Sequence, residues 1–495
     1  MRVRAVAAHP WEVPADVLAF PVLEGSALLG ELAALDERLD GTLSRLHAFG
    51  ELSGRLGGTT LFPTALPAQY LLAVGLGPPI AGDPRIAAHR FGAQAVRRLA
   101  GRAVHRFALW LGDDPVDTAE LVSRGVAEGD YDPGTLYRAD LEEPPAVIDE
   151  LILVAPPGAD VGTIAAAGER GVVVGEGTNL ARDLANRAAN DLSPMALADE
   201  AAALAARHGL AVEIIGPDEA ERLGMGLFLA VGRGSDNPPR FIVLRSGEPP
   251  GRGSPDGRYL ALVGKGVTFD SGGISIKAAD RMSEMKMDKA GAATVIAAIA
   301  TVARLRPGVR LLALAPAVEN MPGPHSTRPG DVVRALNGKV VEIDNTDAEG
   351  RLILGDALVY AERLGATHTV DVATLTGASE RLLGKAVTPA FGRPQGWFDE
   401  VAAAGRRVAE RIWQMPLIDE YVHDMETWSA ELSNSGPAEG SFVKSGLFLS
   451  QFVTKPWVHL DIGGTGYHRK ATPWAAAGAT GETHATLVEL ALSGD

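Results

Sequence analysis

Short apolar runs separated by amphipathic stretches fill the first third of the chain. In residues 1 to about 155 the runs VLAFPVL, YLLAVGLG, RFALWLG and ELILVAP alternate with stretches such as RIAAHRFGAQAVRRLAGRA. Apolar runs of that length bounded by turn residues predict strands, the amphipathic stretches predict helices, and their alternation predicts an α/β layer. No chemistry stands out in it. The segment APPGADVG, with its Pro, Gly and Asp, marks a boundary near 155 to 162.

Beyond it a helical stretch, NLARDLANRAAN, leads to SPMALADEAAALAARHG. There Ser193 can cap a helix, Pro194 can take its first position and Gly209 can stop it. The remainder carries strand candidates at 259–264 (YLALVG), 310–316 (RLLALAP), 340–344 (VVEID), 368–374 (HTVDVAT) and 457–462 (WVHLDI). All but one are followed at once by an unusual loop: GKGVTFDSGG, NTDAEG, LTGA or GGTG. Open α/β sheets bind ligands at the carboxyl ends of their strands, so these loops are expected to gather at one end of one sheet. The pattern predicts a smaller N-terminal α/β domain over 1–160, a connecting helix region over 161–190, and a larger α/β domain over 191–495 whose central mixed sheet is flanked by helices. Internal repeats and low-complexity segments are absent.

Composition narrows the function. With 46 Lys and Arg against 62 Asp and Glu among 495 residues, the net charge is −16. That balance speaks against a general nucleic-acid surface, which needs clustered cations, and leaves room for bound cations. The chain has no cysteine, which removes disulfides, thiolate nucleophiles and Cys-ligated zinc. The N-terminus lacks an unbroken apolar core before a small-residue cleavage site, and the longest apolar run, ATVIAAIATVA, is too short to span a bilayer. A soluble cytoplasmic protein without a membrane partner is expected.

The stretch VEIDNTDAEGRLILGDAL puts Asp347, Glu349 and Arg351 two residues apart. Thr346 and Glu349 fit a capping box at a helix start. In an extended segment, however, residues two apart share a side, so the same residues could reach a common ligand. The loop after residue 264 offers Lys265, Asp270 and Lys277, and Asp288 stands at the start of a long helix. Four converging carboxylates repel one another unless cations neutralise them. Oxygen-rich sites of this kind take divalent metals, and pairs of metals need bridging carboxylates.

The segments VGKGVTFDSGGISIK, MKMDKAGAA, NMPGPHSTRPGDVV and NTDAEGRLILGDAL resemble the signatures of the cytosolic leucyl aminopeptidases, the M17 family of two-metal exopeptidases. ARDLAN, ATLTGA and HLDIGGTG extend the likeness, in order, over roughly residues 175 to 490. The resemblance implies a macro-domain-like N-terminal domain and a catalytic domain that releases N-terminal residues from short peptides with free N-termini. It implies that Lys265, Asp270, Asp288, Asp347 and Glu349 hold two divalent ions, Zn or Mn, with Asp270 and Glu349 as bridges and Lys265 as a neutral amine ligand. It implies that Lys277 steadies the tetrahedral oxyanion and that Arg351 holds a bicarbonate acting as general base. Met285, Thr374 and Gly377 would line an apolar pocket for the first residue. A homohexamer is also implied.

The chain departs from the family pattern at Lys289, where Met is usual, and at Gly355 and Gly463, where Ala is usual. Lys289 either points away from the metals or faces them, where its charge would compete with metal binding or favour an acidic first side chain. The two glycines are expected to loosen packing. Lys289 also motivates a competing reading, a catalytically weakened paralogue with a binding or DNA-associated regulatory role. Other readings rest on less. The S-x-x-K run from Ser283 to Lys286 lacks its companion motifs. Gly175 and Gly177 after VVV lack the third glycine of a dinucleotide turn, and Gly264 to Gly266 lacks the Ser or Thr of a P-loop. His459 reads as a satisfied strand residue.

Overall fold

Two sheets with parallel cores, each buried on both faces, organise the computed structural model, which describes residues 1–78, 83–112, 114–247 and 257–493. The chain divides into two units, Met1–Asn179 with Arg469–Ala477, and Leu180–His468 with Gly478–Asp495.

In the first unit the strands β1 (Arg2–Ala7), β2 (Ala15–Val22), β3 (Thr59–Pro63), β4 (Ala68–Gly75), β5 (Arg106–Trp110) and β6 (Glu150–Ala155) form a six-stranded sheet in the order β1-β6-β5-β2-β4-β3. Only the β3–β4 pairing is antiparallel. Successive strand residues point to opposite faces. Accordingly Leu151 and Leu153 enter one apolar cluster while Ile152 and Val154 enter the other. This double burial is why the strands read as continuous apolar runs. On one flank the helices Pro84–Arg97 and Pro115–Gly129 pack so closely that a Cβ on Gly92 would lie 2.1 Å from the Val122 carbonyl oxygen.

The second unit holds β7 (Ala211–Ile215), β8 (Arg240–Ser246), β9 (Leu260–Gly264), β10 (Gly266–Asp270), β11 (Leu311–Asn320), β12 (Asp331–Arg334), β13 (Val340–Ile343), β14 (His368–Ala373), β15 (Thr388–Arg393), β16 (Ile412–Gln414), β17 (Leu432–Ser433) and β18 (Trp457–Asp461). A nine-stranded sheet runs β16-β15-β18-β14-β9-β11-β8-β7, with β10 paired to β11. β10, β11, β9, β14 and β18 are mutually parallel, and β7, β8 and β15 enter antiparallel, so the sheet is mixed as expected. One strand candidate belongs elsewhere. β13 lies in a separate three-stranded sheet, β12-β13-β17, so the NTDAEG loop does not spring from the large sheet. Its pairing with a two-residue strand some ninety positions away leaves no local trace in the sequence.

The helix Pro194–His208 starts and stops as expected: Ser193 Oγ accepts from the Ala196 N–H, and Gly209 closes it in the left-handed conformation. Gly175 and Gly177, by contrast, sit inside the helix Val161–Asn186, where no strand-to-helix turn exists for a dinucleotide. The expected loosening at two glycines is also absent. A Cβ on Gly463 would lie 2.4 Å from the Thr376 carbonyl oxygen, and one on Gly355 would lie 3.3 Å from the Phe452 ring. No helix among the described residues is long and apolar enough to cross a membrane.

Candidate metal centre

The five parallel strands bring their carboxyl ends to one edge of the large sheet. Lys265 follows β9, Asp270 closes β10, Asn320 closes β11, Thr374 follows β14 and Asp461 closes β18. Asp288 arrives from the 3₁₀ segment Met282–Lys289, which runs into the helix Ala290–Leu305. That helix meets β9 at a point where only glycines fit, since a Cβ on Gly264 would lie 2.3 Å from the Gly291 carbonyl oxygen. Asp347 and Glu349 come from the turn after β13, and the helix Gly350–Arg363 begins immediately beyond.

Neither local expectation for this turn holds. Residues 346 and 347 form a turn and Glu349 is already helical in conformation, so the segment is not extended. Nor does a capping box form. The Glu349 carboxylate accepts from Lys265 instead, and the Thr346 hydroxyl is committed to the loop at 272–275.

All four carboxylates nevertheless converge. Lys265 Nζ lies 2.8 Å from Asp288 Oδ2, 2.7 Å from Glu349 Oε1 and 2.9 Å from the Thr374 carbonyl oxygen. Those three acceptors match the three N–H groups of an ammonium. Lys277 Nζ lies 2.8 Å from Asp270 Oδ2 and also pairs with Asp347. One oxygen each from Asp270, Asp347 and Glu349 lie within 4.8 Å of one another. Lys265, Asp270, Asp288 and Glu349 are all buried, whereas the side chains of Asp347 and Lys277 are 32% and 23% exposed. The cluster therefore opens to solvent on the Asp347 and Lys277 side. Gly350 makes room for Lys265, because a Cβ there would lie 2.7 Å from its Cδ and Cε.

The electrostatics are those of a cation site. Burial and the neighbouring carboxylates Asp270 and Glu349 push Asp347 up to about 7 despite Lys277. Burial and Glu349 raise Asp270, and burial and Asp270 raise Asp288. Burial works against the charge of both lysines, yet the surrounding carboxylates hold Lys265 and Lys277 above the usual lysine range. Divalent ions among these oxygens would relieve the mutual repulsion. An ion taking the Lys265 lone pair would have to displace a proton from it.

Arg351 is buried, donates from Nη1 to the Asn434 carbonyl oxygen at 2.8 Å, and has no partner for Nε among the described residues. Burial lowers it to about 10, with Glu349, Asp461 and Asp344 opposing. An unpartnered guanidinium N–H beside a carboxylate cluster suits a small anion. Thr374 is buried and donates its hydroxyl to Asp288 Oδ1 at 2.7 Å. Met285 is half-buried in the 3₁₀ segment, and Gly377 is exposed at the start of the helix Gly377–Leu383.

Lys289 is fully buried and donates to the carbonyl oxygens of Arg187 (2.7 Å) and Lys286 (2.5 Å). Burial and the nearby cations Lys286 and Arg187 lower it to about 7. His459 pairs with Asp371 at 2.6 Å inside the sheet. Sequence reasoning missed Asn320, which donates to Asp270 Oδ1, and Asn434, which binds the main chain of residues 344, 345 and 348. Each acts on a segment remote in sequence, and no local pattern announces it.

Residues 179–488 match the catalytic-domain model of the cytosol aminopeptidase family, and residues 17–135 match its N-terminal-domain model. A probable cytosol aminopeptidase of Solibacter usitatus is 40% identical over 97% of both chains. One of Roseiflexus castenholzii is 39% identical over the same shares. Among solved structures, a mutant of tomato leucine aminopeptidase superposes with a TM-score of 0.88 at 31% identity, covering 100% of this chain and 96% of its own. The bottromycin maturation enzyme BotP in complex with Mn superposes with a TM-score of 0.82 at 33% identity, covering 97% and 100%.

Proposed function

Because the chain belongs to the cytosol aminopeptidase family, we propose that the cluster built on Lys265, Asp270, Asp288, Asp347 and Glu349 is the seat of its reaction. The protein is a metal-dependent aminopeptidase of the leucyl type, releasing N-terminal residues from peptides. The observation that carries the site is the convergence of four carboxylates from three separate segments around two lysines, three of the carboxylates offering oxygens within 4.8 Å of one another.

In this reading Lys265, Asp270, Asp288, Asp347 and Glu349 would together hold two divalent ions. Mn, present in BotP, and Zn both suit such a donor set. Two bound cations would supply a nucleophile at neutral pH by lowering the pKa of water towards about 7. The chain's own groups do the rest. Lys277, on the open side, donates to the oxygen of the scissile carbonyl as it gains charge. Arg351 holds a bicarbonate, through the buried N–H that lacks a partner, as general base. Thr374, Met285 and Gly377 border the first side chain, in a pocket free of the Lys289 charge. Short peptides with free N-termini are the substrates, and a cytoplasmic homohexamer is the working assembly.

The test is hydrolysis of aminoacyl-p-nitroanilides, from Leu to Glu, by chelator-stripped protein with and without added Mn or Zn. Metal-restored cleavage with Leu preferred to Glu is expected. No cleavage with metal demonstrably bound would overturn the site reading.

A further inference from the structure

Thr346 stands beside Asp347, yet it is neither a helix cap nor a metal ligand. It is buried, and each of its hydrogen-bonding groups is spent on another segment. Its hydroxyl donates to the Gly272 carbonyl oxygen at 2.6 Å and accepts from the Ser275 N–H at 2.8 Å. Its own N–H donates to Ser275 Oγ at 3.1 Å. Its carbonyl oxygen accepts from Asn320 Nδ2 at 3.0 Å, and the same nitrogen donates to Asp270 Oδ1 at 2.8 Å. Asn320 is held in turn, since its carbonyl oxygen accepts from both the N–H and the hydroxyl of Ser271.

These bonds join two loops that carry different parts of the cluster. Loop 270–277 brings Asp270 and Lys277, and loop 345–351 brings Asp347, Glu349 and Arg351. The loops meet closely enough that a Cβ on Gly273 would lie 2.7 Å from Asn320 Oδ1 and 3.0 Å from Thr346 Oγ1. Like-charged carboxylates push such loops apart; Lys277 pairs with Asp347 across them, and the Thr346 bonds add a fastening that carries no charge.

We propose that Thr346 is a positioning residue: with Ser275 and Asn320 it forms a neutral latch that sets Asp347 and Glu349 against Asp270 and Lys277. The inference rests on the metal-site reading above. Groups that orient ligands without touching the ion are worth about tenfold to a hundredfold in metal affinity. Valine has the shape of threonine without its hydroxyl, and serine keeps the hydroxyl.

The test titrates Mn into chelator-stripped full-length protein by calorimetry, for the wild type, Thr346→Val, Thr346→Ser, Ser275→Ala and Asp347→Asn. Thr346→Val is expected to raise the Mn dissociation constant about tenfold to a hundredfold. At saturating Mn it should lower kcat while leaving KM for the Leu substrate within about twofold. Thr346→Ser should restore both. Ser275→Ala, which removes one bond of the latch, should weaken Mn binding by a smaller factor, and it decides the matter if Thr346→Val does not fold. Wild-type Mn affinity in Thr346→Val, or in Ser275→Ala where it stands alone, overturns the latch, as does a serine variant as weak as the valine one. Wild-type Mn affinity in Asp347→Asn overturns the site reading itself, whereas loss there with none at Thr346 removes the latch alone.

Discussion

The six-stranded sheet of the first unit and the nine-stranded sheet of the second are built alike, from parallel strands buried on both faces, but they end differently. The parallel strands of the first close on Ala7, Val22, Gly75, Trp110 and Ala155. Those of the second close on or run directly into Lys265, Asp270, Asn320, Thr374 and Asp461, all of them buried. Burying polar groups costs free energy unless each finds a partner or a ligand. A fold that concentrates that cost at one edge of one sheet supports placing the proposed chemistry there. Fold alone would not have distinguished the two sheets.

The strongest way to break this contrast is to remove charge from the second sheet's edge. Asp347→Asn and Glu349→Gln should each lower turnover of a Leu substrate by about a thousandfold or more while leaving the unfolding transition near its wild-type temperature. Full activity in either variant would sink the assignment. A second test asks whether any buried acid of that unit behaves alike. Asp356 is buried, accepts from the N–H groups of Phe228 and Leu336, and is pushed up to about 7 by burial. Because its folded pKa lies above the unfolded value, the native state holds the extra proton between about pH 4 and pH 7. Stability therefore falls as pH rises through that window, by up to about 4 kcal/mol. Urea unfolding of Asp356→Asn at both ends of the window should show a flatter dependence, and an unchanged slope would refute it.

Metal should act on the second unit by mass action. Mn at about a hundred times its dissociation constant should add about 2.7 kcal/mol of stability to the wild type. Asp347→Asn should show a clearly smaller rise in melting temperature, and equal rises would count against the site. The smallest effect belongs to the first unit. Asp130, which follows the helix Pro115–Gly129 and is raised to about 6 by burial, accepts from the Ala146 N–H. Asp130→Asn should leave turnover within about twofold of wild type, a ratio of initial rates that a catalytic role would shift far more.

Much of this could be read from the chain. The runs over β2, β4, β5 and β6 announced an α/β layer, and the Ser193, Pro194 and Gly209 signals bounded their helix. The carboxylates and lysines that converge could be singled out because they sit in short contiguous segments. What escaped was decided by pairing across distance. β13 left the large sheet for a partner near residue 432, and Thr346 chose Gly272 and Ser275 over its own helix. Gly463 was misjudged because its tightness comes from Thr376 and Ser379, which only the folded chain brings near. Lys289 could not be oriented until the Arg187 carbonyl oxygen was found at its tip.

Gly350 gives the molecule a practical property. The missing Cβ beside Lys265 leaves a gap narrower than a methyl group. In a library that randomises the helix start, position 350 should come back as glycine alone, with alanine already rejected. The exposed Gly377, whose Cβ would meet nothing nearer than the tip of Arg381 at 3.8 Å, should accept many residues. Anyone retuning this protein for new substrates would have latitude at one glycine and none at the other.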